Sequence, residues 1–295
     1  MKDSIHITEC PRDAMQGLKE FIPTEDKVRY IQALLEVGYE IVDFGSFVSP
    51  KAIPQMRDTA EVVRRLDLSR TTTKLLAIIA NLRGAAQAVQ FEQIHYLGFP
   101  FSVSETFQIR NTNATMEESI ERVLDIHALC EQYDKELVVY LSMAFGNPYG
   151  DPWNLKSVVR WIEYFIQAGI RRFALSDTIG VANPDSIVYL FTGLTAEYPH
   201  CTFGAHFHTR PDNWYDNVKA AYDSGCRHFD AAIGGFGGCP MARDELTGNL
   251  PTESLLEFCR TEHIPCTLDE DAFLRALDIA REIFPNRPLH HVAIP

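Results

Sequence analysis

The chain has 295 residues, 46% of them hydrophobic and 23% charged, the balance of an ordinary soluble globular protein rather than a disordered or fibrous one. Its formal net charge of -13, from 40 acidic and 27 basic residues, excludes a general attraction to nucleic acid or to an anionic membrane, so any anionic substrate must be held by local groups. Seven cysteines, odd in number and without a CxxC pair, read as reduced thiols. The N-terminal stretch carries acids and a proline where a signal peptide needs an apolar run, and no apolar run is long enough to span a bilayer, which predicts a cytoplasmic protein.

Short β-branched or aromatic runs recur along the chain at residues 4–8, 40–44, 74–80, 93–99, 136–141, 172–175, 201–206 and 227–232, which predicts eight strands. Amphipathic stretches of helical length lie between most of them, at 24–37, 117–133, 155–168, 184–198 and 214–224. Gly38, Gly169 and Gly225 follow three of these stretches and read as helix C-caps. Regular strand–helix alternation predicts a parallel sheet, and eight units favour a closed (β/α)8 TIM barrel over an open doubly wound sheet. No glycine-rich nucleotide fingerprint follows any predicted strand, which weakens the open-sheet alternative. The chain reads as a single domain, 1–295, whose last forty or so residues form helices that close or extend the barrel.

In such a barrel the chemistry sits at the C-terminal ends of the strands. There the sequence places Arg12 and Asp13, then Asp43, Asn81, Ser104 with Glu105, Ser142, Asp177, and finally His206 and His208. His206-Phe207-His208 is the most informative motif, because period-two alternation points both imidazoles to one side of a strand, where they can grip one ion. A pair of core or surface histidines has the same spelling. Asp13, one strand-neighbour away across a closed barrel, would add a hard oxygen ligand, and mixed N/O ligation suits Mg, Mn, Co or Zn. The glycine run 234–238 allows a loop to lie close to a ligand, and it delivers Cys239, a candidate acid, base or nucleophile that could equally be an inert packing thiol. Asp177 reads also as a cap, Asp43 as an acceptor for loop amides, Arg12-Asp13 as a surface ion pair and Asn249 as a turn residue; spacing alone does not make Asn249 a ligand.

Taken together, Pro11-Arg12-Asp13, Ser46-Phe47-Val48-Ser49-Pro50-Lys51, Pro54-Gln55-Met56, Asn81-Leu82-Arg83-Gly84, Ser176-Asp177-Thr178-Ile179-Gly180, His206-Phe207-His208, Gly237-Gly238-Cys239-Pro240 and Gly248-Asn249-Leu250 make the chain resemble the 3-hydroxy-3-methylglutaryl-CoA lyases, over nearly its whole length. The resemblance implies one divalent ion, Mg or Mn before Zn or Co, bound by Asp13, His206, His208 and Asn249. It implies that Arg12 stabilises an enolate-like thioester oxygen, that His206 or a nearby group assists removal of the tertiary hydroxyl proton, and that Cys239 closes over the site and takes part in proton transfer. Asp43 and Asp177 complete the expected catalytic set. The implied reaction is a reverse Claisen cleavage of an acyl-CoA to acetyl-CoA and acetoacetate, in a protein that associates with copies of itself and needs no nucleic acid or membrane.

The chain departs from the family pattern at several points. Asp43 stands where the family usually has glutamate, Thr209 where it has aspartate, and Ala14-Met15 where it has glycine-leucine; the loop from Pro240 to Gly248 is longer and more charged. A related lyase or aldolase acting on another 3-hydroxy acyl-CoA or a hydroxy-keto acid is therefore a second reading, and a non-catalytic binding barrel a third.

Overall fold

A computed structural model describes residues 3–238 and 247–284. Eight parallel strands, β1 (His6–Glu9), β2 (Ile41–Ser46), β3 (Lys74–Ile78), β4 (Ile94–Ser102), β5 (Glu136–Ser142), β6 (Arg172–Asp177), β7 (Thr202–Thr209) and β8 (His228–Ala231), pair in chain order. The pairing of β8 with β1 closes the ring, so the predicted TIM barrel is the observed fold. A ninth strand of two residues, β9 (Gly248–Asn249), runs antiparallel to β7 and sets Asn249 opposite His208; the period-two pattern did not predict it, because two residues carry no period.

The strands form because continuous Val, Ile, Leu and Phe runs bury both faces, as parallel sheets require. Ile41, Leu76, Val138, Tyr140 and Ala174 fill the barrel interior, while a larger core lies between the sheet and the surrounding helices. Helix starts follow local capping chemistry. Helices Met116–Gln132, Leu155–Gln167 and Pro184–Glu197 each begin with a reciprocal capping box, built on Thr115/Glu118, Asn154/Ser157 and Asn183/Ser186. Gly38, Gly169 and Gly225 all have φ between 89° and 101°, the left-handed turn expected of a residue that ends a helix.

Two of the polar residues predicted at the strand ends turn out to be caps. Asn81 accepts from the Gly84 amide at 2.9 Å and Ser104 from the Phe107 amide at 3.2 Å, each starting a short helix that the sequence reading did not single out. The segment after residue 250 folds as helices Thr252–Thr261 and Glu270–Ile283, the second packed on helix Thr24–Val37. The six cysteines among the described residues form no disulfide. Among the same residues no helix is long and apolar enough to cross a membrane.

Candidate functional site

The site is assembled at the C-terminal mouth, starting from β1. A helix of six residues, Pro11–Gln16, follows this strand at once, with proline at its first position, and its first turn carries Arg12 and Asp13 into the barrel mouth. Both are buried, at 7% and 8% exposure, so the surface ion pair allowed by the sequence is instead an interior one. Arg12 donates from Nε and Nη2 to Asp43 Oδ2, at 2.9 and 2.6 Å, and from Nη1 to Asp13 Oδ1 at 2.8 Å. A register shift in the β2–β3 ladder between Asp43 and Gly45 marks a bulge beside Asp43, a device common next to active sites.

Asp13 is heavily supported. Gln16, one helical turn on, donates to Oδ1 at 2.6 Å, and Asn249 donates from Nδ2 to Oδ2 at 2.7 Å and to the Phe236 carbonyl at 2.8 Å. Because both partners of Asn249 are acceptors, its nitrogen is fixed by the network and its oxygen is the end left to meet a cation. Burial pushes the Asp13 carboxyl up, but Arg12 and the two imidazoles outweigh it and hold it down at about 2. Burial dominates at Asp43, which rises to about 6 despite Arg12, and its Oδ1 is buried without a hydrogen bond.

His206 and His208 share one side of β7, while Phe207 packs outward against Phe145 with ring centroids 5.7 Å apart. Each imidazole is oriented through Nδ1. His206 Nδ1 lies 3.0 Å from Asp230 Oδ2 on β8, and His208 Nδ1 lies 2.8 Å from the Thr178 carbonyl. A carbonyl only accepts, so His208 must carry its proton on Nδ1 and present a bare Nε2. That Nε2 is buried and has no hydrogen-bond partner. Burial, and then His206, lower His208 to about 4; burial also pulls His206 down, but the bond and charge of Asp230, with Asp13, leave it raised.

The ligand atoms of Asp13, His206 and His208 all lie within 4.8 Å of one another. Two neutral-capable imidazoles steered by a carboxylate and a carbonyl, one ionised carboxylate and one amide form a donor set that fits a divalent cation, and the orphaned His208 Nε2 is otherwise a costly omission. Gly237 covers this cluster with φ +90°. A Cβ there would stand 2.6 Å from the Asp13 carbonyl oxygen and 2.7 Å from Asn249 Nδ2.

Asp177 stands apart from this cluster. It accepts from the Val181 and Ala182 amides at 2.8 and 3.0 Å and thereby shapes the turn whose Thr178 carbonyl holds His208. Burial raises it to about 6 against those amide bonds. Thr209 is buried at the end of β7, opposite Gly248, and Ala14 and Met15 are buried in the short first helix. Cys239 and the loop departures at Arg243, Asp244 and Glu245 lie outside the described residues.

The sequence reading missed Asp230, Gln16 and the buried acids Glu9 and Glu253. Asp230 had a usable signal, a lone carboxylate in the apolar stretch His228-Phe229-Asp230-Ala231-Ala232, and Gln16 sits three residues from Asp13 on a helix, where side chains meet. Glu9 accepts from the Ile233 amide at 2.8 Å and from Thr252 Oγ1 at 2.6 Å, and Glu253 accepts from the Gly234 amide at about 3.0 Å; both grip the base of the glycine run.

A closed parallel barrel with imidazole, carboxylate and amide donors gathered at its C-terminal mouth defines a barrel enzyme. A family model described as HMGL-like matches residues 5–279, and the chain belongs to that family, one of carbon–carbon lyases. The hydroxymethylglutaryl-CoA lyase YngG of Bacillus subtilis is 32% identical over 246 residues, covering 83% of this chain and 81% of the relative. A 3-hydroxy-3-isohexenylglutaryl-CoA/hydroxy-methylglutaryl-CoA lyase of Pseudomonas aeruginosa is 31% identical over 269 residues, 90% of this chain and 88% of its own length. Among solved structures, an HMG-CoA lyase from Acinetobacter baumannii in complex with coenzyme A and 3-methylmalate superposes with a TM-score of 0.90 at 31% identity, covering 99% of this chain and 94% of that one.

Proposed function

We propose that this protein is a divalent-metal-dependent lyase that cleaves 3-hydroxy-3-methylglutaryl-CoA, or a close 3-alkyl analogue, into acetyl-CoA and a 3-oxo acid, acetoacetate for the methyl compound. The observation that carries the reading is the buried, unpartnered Nε2 of His208, a residue that offers a ligand atom within 4.8 Å of those of Asp13 and His206. Asp13, His206, His208 and Asn249 would hold the ion, with mixed N/O ligation favouring Mg or Mn and tolerating Zn or Co. When bound, such an ion polarises substrate oxygens and lowers the pKa of a coordinated hydroxyl.

The chain's own groups supply the rest. Three of the five guanidinium N–H donors of Arg12 are taken by the bonds to Asp13 and Asp43, so the fork is rigid and its remaining N–H groups can meet the negative charge that develops on the thioester oxygen. Two carboxylates keep Arg12 charged, since their attraction raises its pKa against the opposing effect of burial. The hydroxyl proton passes to His206 or to a neighbour. One His206 nitrogen cannot hold an ion and take a proton at once, and Asp43 Oδ1, buried and unpartnered, is the alternative acceptor. Cys239, next to Gly238, would return a proton to the departing acetyl-CoA carbon.

A second reading, a related lyase or aldolase that acts on another 3-hydroxy acyl-CoA or on a hydroxy-keto acid, is favoured by the shorter carboxylate at Asp43 and by the breadth of the activity named for the Pseudomonas relative. Steady-state assays with 3-hydroxy-3-alkylglutaryl-CoA thioesters and hydroxy-keto acids, with added Mg or Mn, separate the two. The primary reading expects the highest kcat/KM on the methyl compound or a close 3-alkylglutaryl-CoA; no cleavage of any thioester or hydroxy-keto acid at saturating metal overturns both. His208→Ala should lose the ion, whereas Cys239→Ala should keep it and lose most turnover. Unchanged turnover in Cys239→Ala removes that thiol from the mechanism.

A further inference from the structure

The N-terminal mouth of the barrel, opposite the catalytic end, holds a second convergence of ligand-type side chains. His6 opens β1 and His228 opens β8, and the two are register partners in that parallel pair, so their side chains leave adjacent strands at the same level. Their rings stack with centroids 4.7 Å apart and an interplanar angle of 16°. Glu40, the residue before β2, meets both, with Oε2 at 2.8 Å from His6 Nδ1 and 3.4 Å from His228 Nδ1. This oxygen is shut off from solvent yet receives no aligned hydrogen bond, so it sits as an unsatisfied acceptor between two imidazole nitrogens. One potential ligand atom from each of the three residues falls within 4.8 Å of the others.

We propose that His6, Glu40 and His228 form a further metal site, suited to a borderline transition-metal ion such as Zn2+ or Ni2+. Two imidazoles and one carboxylate are the ligand types those ions prefer, and an all-oxygen preference such as that of Ca2+ is not met. The competing cation, Arg172, approaches the other carboxylate oxygen, Oε1, at 3.9 Å and is drawn away by Glu136 at 3.4 Å and by the Tyr96 ring. Lys74 is turned aside to His95 at 3.2 Å. Burial pushes the Glu40 carboxyl up, but His228, His6 and Arg172 outweigh it and hold it below its ordinary value, which favours the carboxylate form that ligation requires. Bonds of about 2.0–2.2 Å need the donors closer together than the stacked rings hold them. The adjustment is a ring rotation about χ2, a soft torsion, and the His6 side chain is 46% exposed and free to make it. A bound ion would tie together β1, β8 and the entry to β2, where the barrel closes on itself, and so stabilise the folded chain by mass action.

The test uses the full chain with Ni2+ as the probe and His6→Ala/His228→Ala as the comparison. Equilibrium dialysis should show the wild type taking up one more Ni2+ per chain than the double variant, with affinity at this site at least about tenfold weaker once the ligands are gone. Ni2+ should raise the Tm of the wild type more than that of the variant, while thioester-cleaving activity, which depends on the opposite mouth, stays equal in both. Equal Ni2+ uptake by the two proteins overturns the proposal. Should the double variant fail to fold, the wild type suffices: the ring resonances of His6 and His228 must broaden as Ni2+ is added, and their persistence overturns it equally.

Discussion

At the scale of single residues, the candidate site depends on side chains that never meet a substrate. Asp230 is the clearest case. Its Oδ2 lies 3.0 Å from His206 Nδ1, which selects the tautomer that leaves Nε2 free as a ligand and raises the basicity of that nitrogen. Asp230→Asn keeps an acceptor of the same size and removes the charge. We expect Mn2+ affinity to fall about 10- to 100-fold, the usual effect of removing such a supporting group, with activity recovering as Mn2+ is raised. Calorimetry of Mn2+ binding checks this, and wild-type affinity in the variant would show that Asp230 serves only to fill the barrel. Gly237 tests the opposite feature, space. Its positive φ disfavours any side chain by roughly 1–2 kcal/mol, and the atoms that a methyl would strike include the backbone carbonyl of Asp13, which cannot swing away. Gly237→Ala should therefore displace Asn249 or the loop and abolish most turnover while leaving the far-UV circular dichroism of the barrel intact; a fully active variant would refute the tight cover described above. The two histidines were legible in the sequence because alternation alone sends them to one side of a strand. Asp230 was not, since its importance arises only when β7 and β8 become neighbours.

Among the elements, the eight barrel strands were legible because a strand buried on both faces is spelled as an apolar run, and their observed starts lie within two residues, and their ends within three, of the sequence reading. Strand β9 and helix Pro11–Gln16 are too short to show a period. They nevertheless place Asn249 and Asp13, so half of the implied ligand set rests on elements that only tertiary pairing creates. The turn joining β8 to this region is held from below by Glu9, a fully buried carboxyl on the outer face of β1. Burial, only partly offset by the bonds from Thr252 and Ile233, raises Glu9 from 4.5 to about 8. The unfolded chain ionises Glu9 near its ordinary value while the folded chain keeps the proton, so between those two pH values the native state binds more protons. Stability contributed by this group is full below about pH 4.5, declines as pH rises, and levels off above about pH 8. At about 1.36 kcal/mol per pKa unit the decline amounts to at most roughly 4–5 kcal/mol, and water entering the cluster would lower it. Glu9→Gln keeps the shape and cannot ionise, so urea unfolding measured from pH 5 to 9 should lose this slope in the variant. Parallel pH profiles for the two proteins would exclude a protonated Glu9.

The barrel closes twice, once through the β1–β8 ladder and once through the packing of helix Glu270–Ile283 on helix Thr24–Val37, which sets the last described helix against an early one. Phe284 lies where that second closure meets the catalytic end. Its ring stacks on Phe236 with centroids 4.4 Å apart, meets Tyr30 edge-on at 6.2 Å, and is only 5% exposed. Phe236 in turn supplies the carbonyl that orients Asn249. A continuous path of packed groups thus runs from the C-terminal helix through one aromatic pair to the candidate metal ligands. Phe284→Ala should cost about 3–5 kcal/mol of stability from the lost burial and the cavity left behind. It should also lower turnover at temperatures where the variant is still folded, because Phe236 loses the surface that fixes its backbone. Urea unfolding measures the first effect, and the metal dependence of kcat measures the second. A variant that is destabilised by this amount but needs no more metal than the wild type would confine Phe284 to the core; a raised metal requirement shows that the packing of the outer helices governs the geometry at the barrel mouth.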